Sequence, residues 1–166
     1  MVNVRSVTFS KDGSKMYSAG GDGRLLQWNF NDRSYIEVYS QSNVNRVVNI
    51  SPNERWLALG TSEDEIDLFD LNDLLREPKK LKGHQGAVYD LVFFDGNFGF
   101  ASVGADKKIL LNSYNESVLL AELESTTKTI AISPDGKYLA AGSMNGEVIL
   151  FDLEGESSPK KIVRKD

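Results

Sequence analysis

The sequence has 166 residues, of which 40% are hydrophobic and 26% are charged, the composition of an ordinary soluble globular protein. A net charge of −5 argues against broad binding to a nucleic-acid backbone, which requires clustered lysine and arginine. With no cysteine and a single histidine, the chain cannot form a disulfide framework, a thiolate metal site or a multi-histidine metal site. We therefore expect no metal, no cofactor and no nucleic-acid partner.

The N-terminal residues "MVNVRSVTFS" alternate in polarity, and long apolar runs are absent from the sequence. These patterns predict neither a secretory signal nor a transmembrane helix, so the expected location is cytoplasmic, with no membrane partner. Because a strand-like pattern begins almost directly after Met1, the sequence is also typical of a domain cut from a longer protein.

In chain order, the pattern predicts four similar units, each built from short strands. Each unit begins with a run of alternating residues, and a turn, a second strand, a tight turn and a third strand follow in phase. The aligned segments are "VRSVTFSKDGSKMYSAGGDGRLLQWNF" from Val4, "NRVVNISPNERWLALGTSEDEIDLFDL" from Asn45, "VYDLVFFDGNFGFASVGADKKILLNSY" from Val88 and "TKTIAISPDGKYLAAGSMNGEVILFDL" from Thr127. The repeat of about 40 residues predicts one domain whose units span approximately 2–42, 43–83, 84–125 and 126–166.

The turn residues explain why each unit folds back on itself. After the first strand, Lys11-Asp12-Gly13 and Pro134-Asp135-Gly136 combine residues that preset or tolerate turn geometry. Between the second and third strands, Asp22-Gly23 and Asn145-Gly146 are strong hairpin signals. A more polar fourth strand follows, "YIEVYS", "KKLKG", "SVLLAEL" or "KKIVRK", and its lysines suit an exposed sheet edge. The predicted fold class is all-β, with four-stranded antiparallel sheets.

Four such units, with Gly83-His84 before the third and the pairs Phe69-Asp70 and Phe151-Asp152 closing two third strands, resemble WD-repeat (WD40-type) β-propellers. The resemblance covers nearly the whole chain and leaves open that the chain is the C-terminal part of a longer protein. It implies four propeller blades and a non-catalytic protein–protein interaction scaffold.

The resemblance also implies a structural hydrogen-bond network, in which a histidine joins a serine or threonine, an aspartate and a tryptophan. In the third unit the matching residues are His84, Ser102 and Asp106, but Asn112 stands at the tryptophan position. We expect the network to end at Asn112 or at water. The first unit has Ser18, Asp22 and Trp28 at the same positions, without a preceding Gly-His. His84 is expected to be structural, because no nucleophile or second base is paired with it.

The second residue of each aligned segment is expected at the mouth of the central channel, on the face that the family commonly uses for docking. These residues, which we call the mouth, are Arg5, Arg46, Tyr89 and Lys128. Arginine and tyrosine are enriched at interface hot spots, and three cations favour an acidic or phosphorylated peptide as the partner. The alternative is that the cations pair with nearby carboxylates such as Asp22, Glu63 or Asp106, which would contribute little.

A sheet with two apolar faces needs a neighbour on each side, so an open array of four leaves two faces uncovered. Three solutions remain: a longer propeller, a four-blade ring, or two copies that form an eight-blade ring. We favour the homodimer. As functions, a structural module that closes such a ring is the alternative to the scaffold, and a propeller enzyme that uses its channel is less favoured, since no paired inward carboxylates can be identified.

Overall fold

The computed structural model describes residues 3–96, 99–155 and 160–163, and all regular structure in these ranges is β-strand. The strands form four separate four-stranded antiparallel sheets, which confirms the predicted all-β fold class. Within the described part of the chain, no helix is long and apolar enough to cross a membrane.

The sheets follow one another along the chain, and each contains four consecutive strands. The first sheet holds β1 (Val4–Phe9), β2 (Lys15–Gly20), β3 (Arg24–Asn29) and β4 (Ser34–Ser40). The second holds β5 (Asn45–Ile50), β6 (Trp56–Thr61), β7 (Glu65–Asp70) and β8 (Lys79–Lys82). The third holds β9 (Val88–Phe93), β10 (Phe100–Gly104), β11 (Lys108–Asn112) and β12 (Ser117–Glu122). The fourth holds β13 (Thr127–Ile132), β14 (Tyr138–Ser143), β15 (Glu147–Asp152) and β16 (Lys160–Val163). Phe98, Arg164 and Lys165, which the sequence also assigns to strands, lie outside the described residues.

The turn between the first and second strands uses the same serine in three sheets. Ser10, Ser51 and Ser133 each donate a side-chain hydrogen bond to the Asp or Asn two residues later. The same hydroxyls accept the backbone N–H that begins the second strand. Phe94, which has no hydroxyl, occupies this position in the third sheet, and its backbone N–H donates to Gly99 O.

Three hydrophobic cores lie between consecutive sheets. Alternate residues of a strand point to opposite faces of its sheet, so one strand can pack against both neighbouring sheets. In β6, Leu57 and Leu59 pack toward the first sheet, whereas Ala58 packs toward the third. The core between the first and second sheets contains Tyr17, Ala19, Leu25, Val48, Leu57, Leu59 and Phe69. The two further cores are centred on Leu68, Val88, Leu91 and Phe100, and on Val103, Ile130, Leu139 and Phe151.

The first strands β1, β5, β9 and β13 lie side by side in chain order and form the inner edge of the array. Side-chain hydrogen bonds join them across sheets, since Ser6 both donates to Val48 O and accepts from Val48 N. Asp90 plays the same part between the third and fourth sheets, because its carboxylate accepts from Ile130 N and from the Thr129 hydroxyl. These bonds fix how far each inner strand is shifted along the next one, and therefore where the residues at the strand ends lie.

The outer face of the first sheet is uncovered in the described chain. Val7 is 52% exposed, whereas the equivalent Val48, Leu91 and Ile130 are 2%, 1% and 5% exposed. Phe9 is 55% exposed and stacks on Phe30, with ring centroids 5.9 Å apart. The same strand positions are thus apolar in all four sheets, but only three sheets have a neighbour that buries them.

Candidate functional site

The third sheet contains a buried chain of polar side chains. His84 precedes β9, and its ring nitrogen Nε2 lies 2.8 Å from Ser102 Oγ on β10. Its Nδ1 lies 3.0 Å from both oxygens of Asp106, in the turn between β10 and β11. Asp106 also accepts hydrogen bonds from the backbone N–H groups of Gln85 and Lys108. The network therefore ties the segment entering the sheet to the turn between its second and third strands.

The pKa directions of this pair determine its protonation state. Burial lowers the pKa of His84, although Asp106 opposes this effect, so the ring is neutral at pH 7. Burial raises the pKa of Asp106, but the N–H of Gln85, the His84 ring and the N–H of Lys108 outweigh it and give a net lowering. An ionised Asp106 can only accept, so His84 carries its hydrogen on Nδ1 and accepts at Nε2 from the Ser102 hydroxyl. With a side chain only 1% exposed and both nitrogens engaged, His84 has no access to a substrate.

Asn112 stands where the resemblance predicts a tryptophan, and it continues the network. Its Nδ2 donates to Ser102 Oγ at 2.9 Å, and its Oδ1 accepts from Ser117 Oγ at 2.7 Å. Asn112 is 3% exposed, so its amide occupies the buried position at which the resemblance implies an indole. The chain of bonds thus runs from Asp106 through His84, Ser102 and Asn112 to Ser117.

The first sheet repeats three parts of this network. Trp28 Nε1 donates to Ser18 Oγ at 2.8 Å, in the way that Asn112 donates to Ser102. Asp22 accepts from the backbone N–H of Arg24 at 3.2 Å, as Asp106 accepts from Lys108. Asp22 also lies 3.7 Å from the Arg24 guanidinium, and no histidine stands between Ser18 and Asp22.

The mouth residues Arg5, Arg46, Tyr89 and Lys128 lie at the starts of four adjacent inner strands. The Arg46 guanidinium lies over the Tyr89 ring at 5.1 Å from its centroid, and the Lys128 ammonium lies over the same ring at 3.2 Å. Tyr89 and Arg46 are half-buried, whereas Arg5 and Lys128 are exposed. Three of the four predicted residues are thus in direct contact, and Arg5 lies on the next strand.

The mouth cations carry no ionic partner among the described residues. Asp22 pairs with Arg24, and Asp106 pairs with His84, so neither carboxylate is engaged with the mouth. The Nε atom of Arg46 is buried and has no hydrogen-bond partner in the described part of the chain. The mouth therefore offers positive charge, and contacts with Tyr89 hold two of its cations, Arg46 and Lys128, in place.

Two further features were missed from the sequence. Asp67 on β7 is completely buried against the first sheet, at a position that holds Leu26, Leu110 and Ile149 in the other sheets. Burial raises its pKa, and Lys80, 3.6 Å away, partly offsets this effect. The signal was present, because a polar residue at an otherwise apolar aligned position marks a special environment.

The second missed feature is a groove of about 480 Å³ between the second and third sheets, lined in part by Trp56, Pro78 and Tyr114. The Trp56 and Tyr114 rings lie 5.0 Å apart, and Lys79 lies over the Tyr114 ring at 3.9 Å. The groove combines a strand start in one unit with a loop of the next, so inspection of single units does not predict it. In the ranges that the structure describes, no cluster of three or more potential metal ligands occurs.

Four stacked antiparallel sheets with inner strands side by side define a protein of the β-propeller class. The family description "WD domain, G-beta repeat" matches residues 2–29, 75–111 and 118–152, and the chain belongs to the WD40 family. This result confirms the resemblance proposed from the sequence.

The relatives found by sequence are proteins much longer than this chain. The chain is 28% identical to Protein hir-1 of Neurospora crassa, over 89% of this chain and 18% of that protein. It is 27% identical to human Pre-mRNA-processing factor 17, over 91% of this chain and 27% of that protein. The chain therefore spans less than a third of the length of either relative.

Known structures agree on the fold. "Structure of U3-55K" and "Crystal structure of RRP9 WD40 repeats" each match with a TM-score of 0.86 and 18% identity, over 98% of this chain and 52% of the other. At this identity the agreement concerns the fold alone.

Proposed function

We propose that this chain is a non-catalytic scaffold that binds an acidic or phosphorylated peptide segment at the mouth. The observation that carries the proposal is the arrangement of Arg46 and Lys128 over the single ring of Tyr89, without a carboxylate partner among the described residues. A cation placed over an aromatic ring keeps its outward N–H groups available to an anion.

The contacts with Tyr89 also reduce the entropic cost of binding. Free arginine and lysine side chains lose rotamer freedom when they bind a ligand, at about 0.5–1.5 kcal/mol for each side chain. Arg46 and Lys128 are already positioned on the ring, so part of that cost falls on folding rather than on binding. The guanidinium of Arg46 and the ammonium of Lys128 can make charge-assisted hydrogen bonds to an anion, which favours a phosphate or carboxylate over a neutral ligand.

The net charge of −5 supports a local site rather than a broad basic surface. An acidic protein with one cationic mouth repels polyanions at long range but attracts a short anionic segment at the mouth. We therefore expect peptides and not nucleic acid as ligands. A cytoplasmic location belongs to the same proposal, and fractionation of cells that express the protein tests it.

The test compares two triple variants on an array of phosphoserine, phosphothreonine, phosphotyrosine and glutamate-rich peptides. Exchange of the mouth cations Arg5, Arg46 and Lys128 for Glu should abolish binding. The matched control exchanges three exposed cations at strand starts or loops of the opposite end, Lys15, Arg33 and Lys160, for Glu. Equal loss in both variants, or retained binding by the mouth variant with unchanged thermal unfolding, contradicts the proposal.

A second candidate function is supported by the uncovered face of the first sheet. Val7 and Phe9 are about half exposed at positions that neighbouring sheets bury elsewhere, and Val148 on the fourth sheet is 44% exposed on the face turned away from the third. We propose that two copies pack these faces together and close an eight-blade homodimer. Sedimentation equilibrium at micromolar concentration tests it: a mass of two chains supports the ring, and a monomer mass excludes it.

A further inference from the structure

We propose that the groove between the second and third sheets binds a short peptide segment in which large apolar side chains lie next to acidic residues. The groove has a volume of about 480 Å³, and its apolar lining comes from Trp56, Leu68, Pro78 and Tyr114. Trp56 begins β6, which runs antiparallel to β5, so the groove opens at the end of the sheets opposite to the mouth. It is a second site, independent of the proposed peptide binding at the mouth.

The junction between the first and second sheets shows that the fold does not require an aromatic groove. At that junction the residues in the equivalent positions are Lys15 and Leu71, and they line a smaller cavity of about 200 Å³. At the next junction Trp56 and Tyr114 take these positions, and their ring centroids lie 5.0 Å apart. The aromatic pair is therefore a property of this junction and not of the repeated architecture.

The groove has a buried apolar floor and an exposed aromatic wall. Leu68 is 1% exposed, and Trp56 is partly buried against the core between the second and third sheets. Tyr114 is 38% exposed, so its ring remains accessible to a ligand. The volume lies within the range of roughly 300–1,000 Å³ that is typical of ligand sites. The groove can therefore take a large apolar side chain together with its neighbours in a peptide.

The connection between β7 and β8 brings positive charge to the rim of the groove. It contains residues 71–78, whereas the same connection in the first and third sheets takes only residues 30–33 and 113–116. Arg76, in this long connection, is exposed and forms no ion pair with the residues that the structure describes. Lys79 begins β8 and lines the groove as well.

The positions of the cations disfavour a cationic ligand. The Arg55 guanidinium lies over the Trp56 ring at 5.1 Å from its centroid, and the Lys79 ammonium lies over the Tyr114 ring at 3.9 Å. One face of each ring thus already holds a cation of this chain, as a lysine or arginine of a ligand would otherwise do. A ligand cation that approached the rings would be repelled by both of these charges.

The carboxylates near the groove do not cancel its positive charge. Asp70 lies 3.8 Å from the Arg55 guanidinium, so these two charges offset each other. Burial raises the pKa of Tyr39 on the first sheet, and Glu77 contributes to this rise, so the Glu77 carboxylate also acts on that side of the connection. Three cations, those of Arg55, Arg76 and Lys79, stand against these two carboxylates. We therefore expect the acidic residues of the ligand near Arg76 and Lys79.

The probe is the peptide acetyl-Asp-Glu-Leu-Phe-Asp-Glu-amide, in which acidic residues flank an apolar pair on both sides. Three matched peptides carry Asn-Gln or Lys-Lys in place of each acidic pair, or Gly-Gly in place of Leu-Phe. The chain has two tryptophans, so a ¹H–¹⁵N spectrum contains two indole signals, with Trp56 as the reporter and Trp28 of the first sheet as the reference. We expect the acidic apolar peptide to shift the Trp56 signal saturably, with an affinity at least about fivefold higher than that of each matched peptide.

Two variants of Arg76 test the part of the positive charge. Arg76→Glu should weaken binding of the acidic apolar peptide at least about fivefold, whereas Arg76→Lys should retain most of the affinity. The matched control is Arg33→Glu, which reverses an exposed arginine in the corresponding connection of the first sheet and should leave the affinity unchanged. The triple glutamate variant of the mouth cations should keep the Trp56 shift, which separates the groove from the mouth.

The wild-type chain decides the proposal. The absence of a saturable Trp56 shift up to about 5 mM acidic apolar peptide overturns it, whatever the variants do. Equal affinity for the neutral peptide overturns it as well, and tighter binding of the lysine peptide would identify a cation site instead. A parallel shift of the Trp28 signal, or equal weakening by Arg76→Glu and Arg33→Glu, also contradicts binding in this groove.

Discussion

Removal of the His84 side chain measures how much the buried network of the third sheet stabilises the protein. In His84→Ala, Asp106 loses the ring N–H as a donor, and Ser102 loses its acceptor. A hydrogen bond to a charged group contributes about 1.5–3 kcal/mol and a neutral one about 1 kcal/mol. Asp106 retains the N–H groups of Gln85 and Lys108, so its carboxylate is not left bare. We expect a total loss of about 3 kcal/mol, which includes the cavity left by the ring.

The assay is urea unfolding at pH 7, with Gln85→Ala as the matched control. Gln85 is exposed, and its bond to Asp106 uses the backbone N–H, which alanine keeps. The control should change the free energy of unfolding by less than about 0.5 kcal/mol. A loss below about 1 kcal/mol in His84→Ala would refute the reasoning that the network is a major stabilising element.

The pH dependence provides a second check on the same variant. The folded pKa of His84 lies below the unfolded value of 6.5, so the folded state resists protonation. The unfolded state then binds more protons as the pH falls below that value, and the wild type loses stability there. The difference between wild type and His84→Ala should be full above pH 6.5 and should shrink between pH 6.5 and 5. A difference that grows on acidification contradicts a neutral His84.

Three other predictions concern separate parts of the fold. Asp67→Asn should stabilise the protein at pH 7, because burial raises the pKa of Asp67 above its unfolded value, although Lys80 opposes this effect. In urea titrations the wild type should gain stability relative to the variant as the pH falls from 7 toward 4. Gly23→Ala should cost more than about 3 kcal/mol, since a Cβ there would stand 1.9 Å from Gln41 O. Gly13 has a similar positive φ but open space around the Cβ position, so Gly13→Ala should cost about 1 kcal/mol. Equal thermal shifts in the two variants would contradict this account. In a monomer, Val48→Ala should cost about 2 kcal/mol, whereas Val7→Ala should cost less than about 0.5 kcal/mol, because Val48 is buried and Val7 is about half exposed. Equal shifts of the denaturant midpoint in the two variants would mean that the outer face of the first sheet is covered.

The strands could be predicted because their signals are local and repeated. Alternation at period two and turn residues such as Asp12-Gly13 and Pro134 act within a few residues, and four aligned copies reinforce each other. The network of His84, Ser102 and Asp106 required a family resemblance, because its members lie far apart in the sequence. The resemblance placed Asn112 at the end of the network, but it did not predict that the Asn112 amide reaches Ser117 as well as Ser102.

The contacts of the mouth could not be derived from the sequence. The alignment placed Arg5, Arg46, Tyr89 and Lys128 at equivalent strand starts, but it did not predict that two cations would share one aromatic ring. That contact depends on the side-chain rotamers of residues on three adjacent strands. It also depends on how these strands are aligned with one another, which bonds such as that of Asp90 to Ile130 N in the fourth sheet determine. The alignment could have revealed Asp67, because a carboxylate at an apolar position of a sheet covered on both faces has no route to solvent.

The uncovered face of the first sheet limits what can cover it. The face around Val7 and Phe9 is apolar, so an apolar sheet face, including that of the fourth sheet of a second copy, can bury it. If two copies close an eight-blade homodimer, Val7 becomes buried as Val48 is, and Val7→Ala should then cost about as much as Val48→Ala.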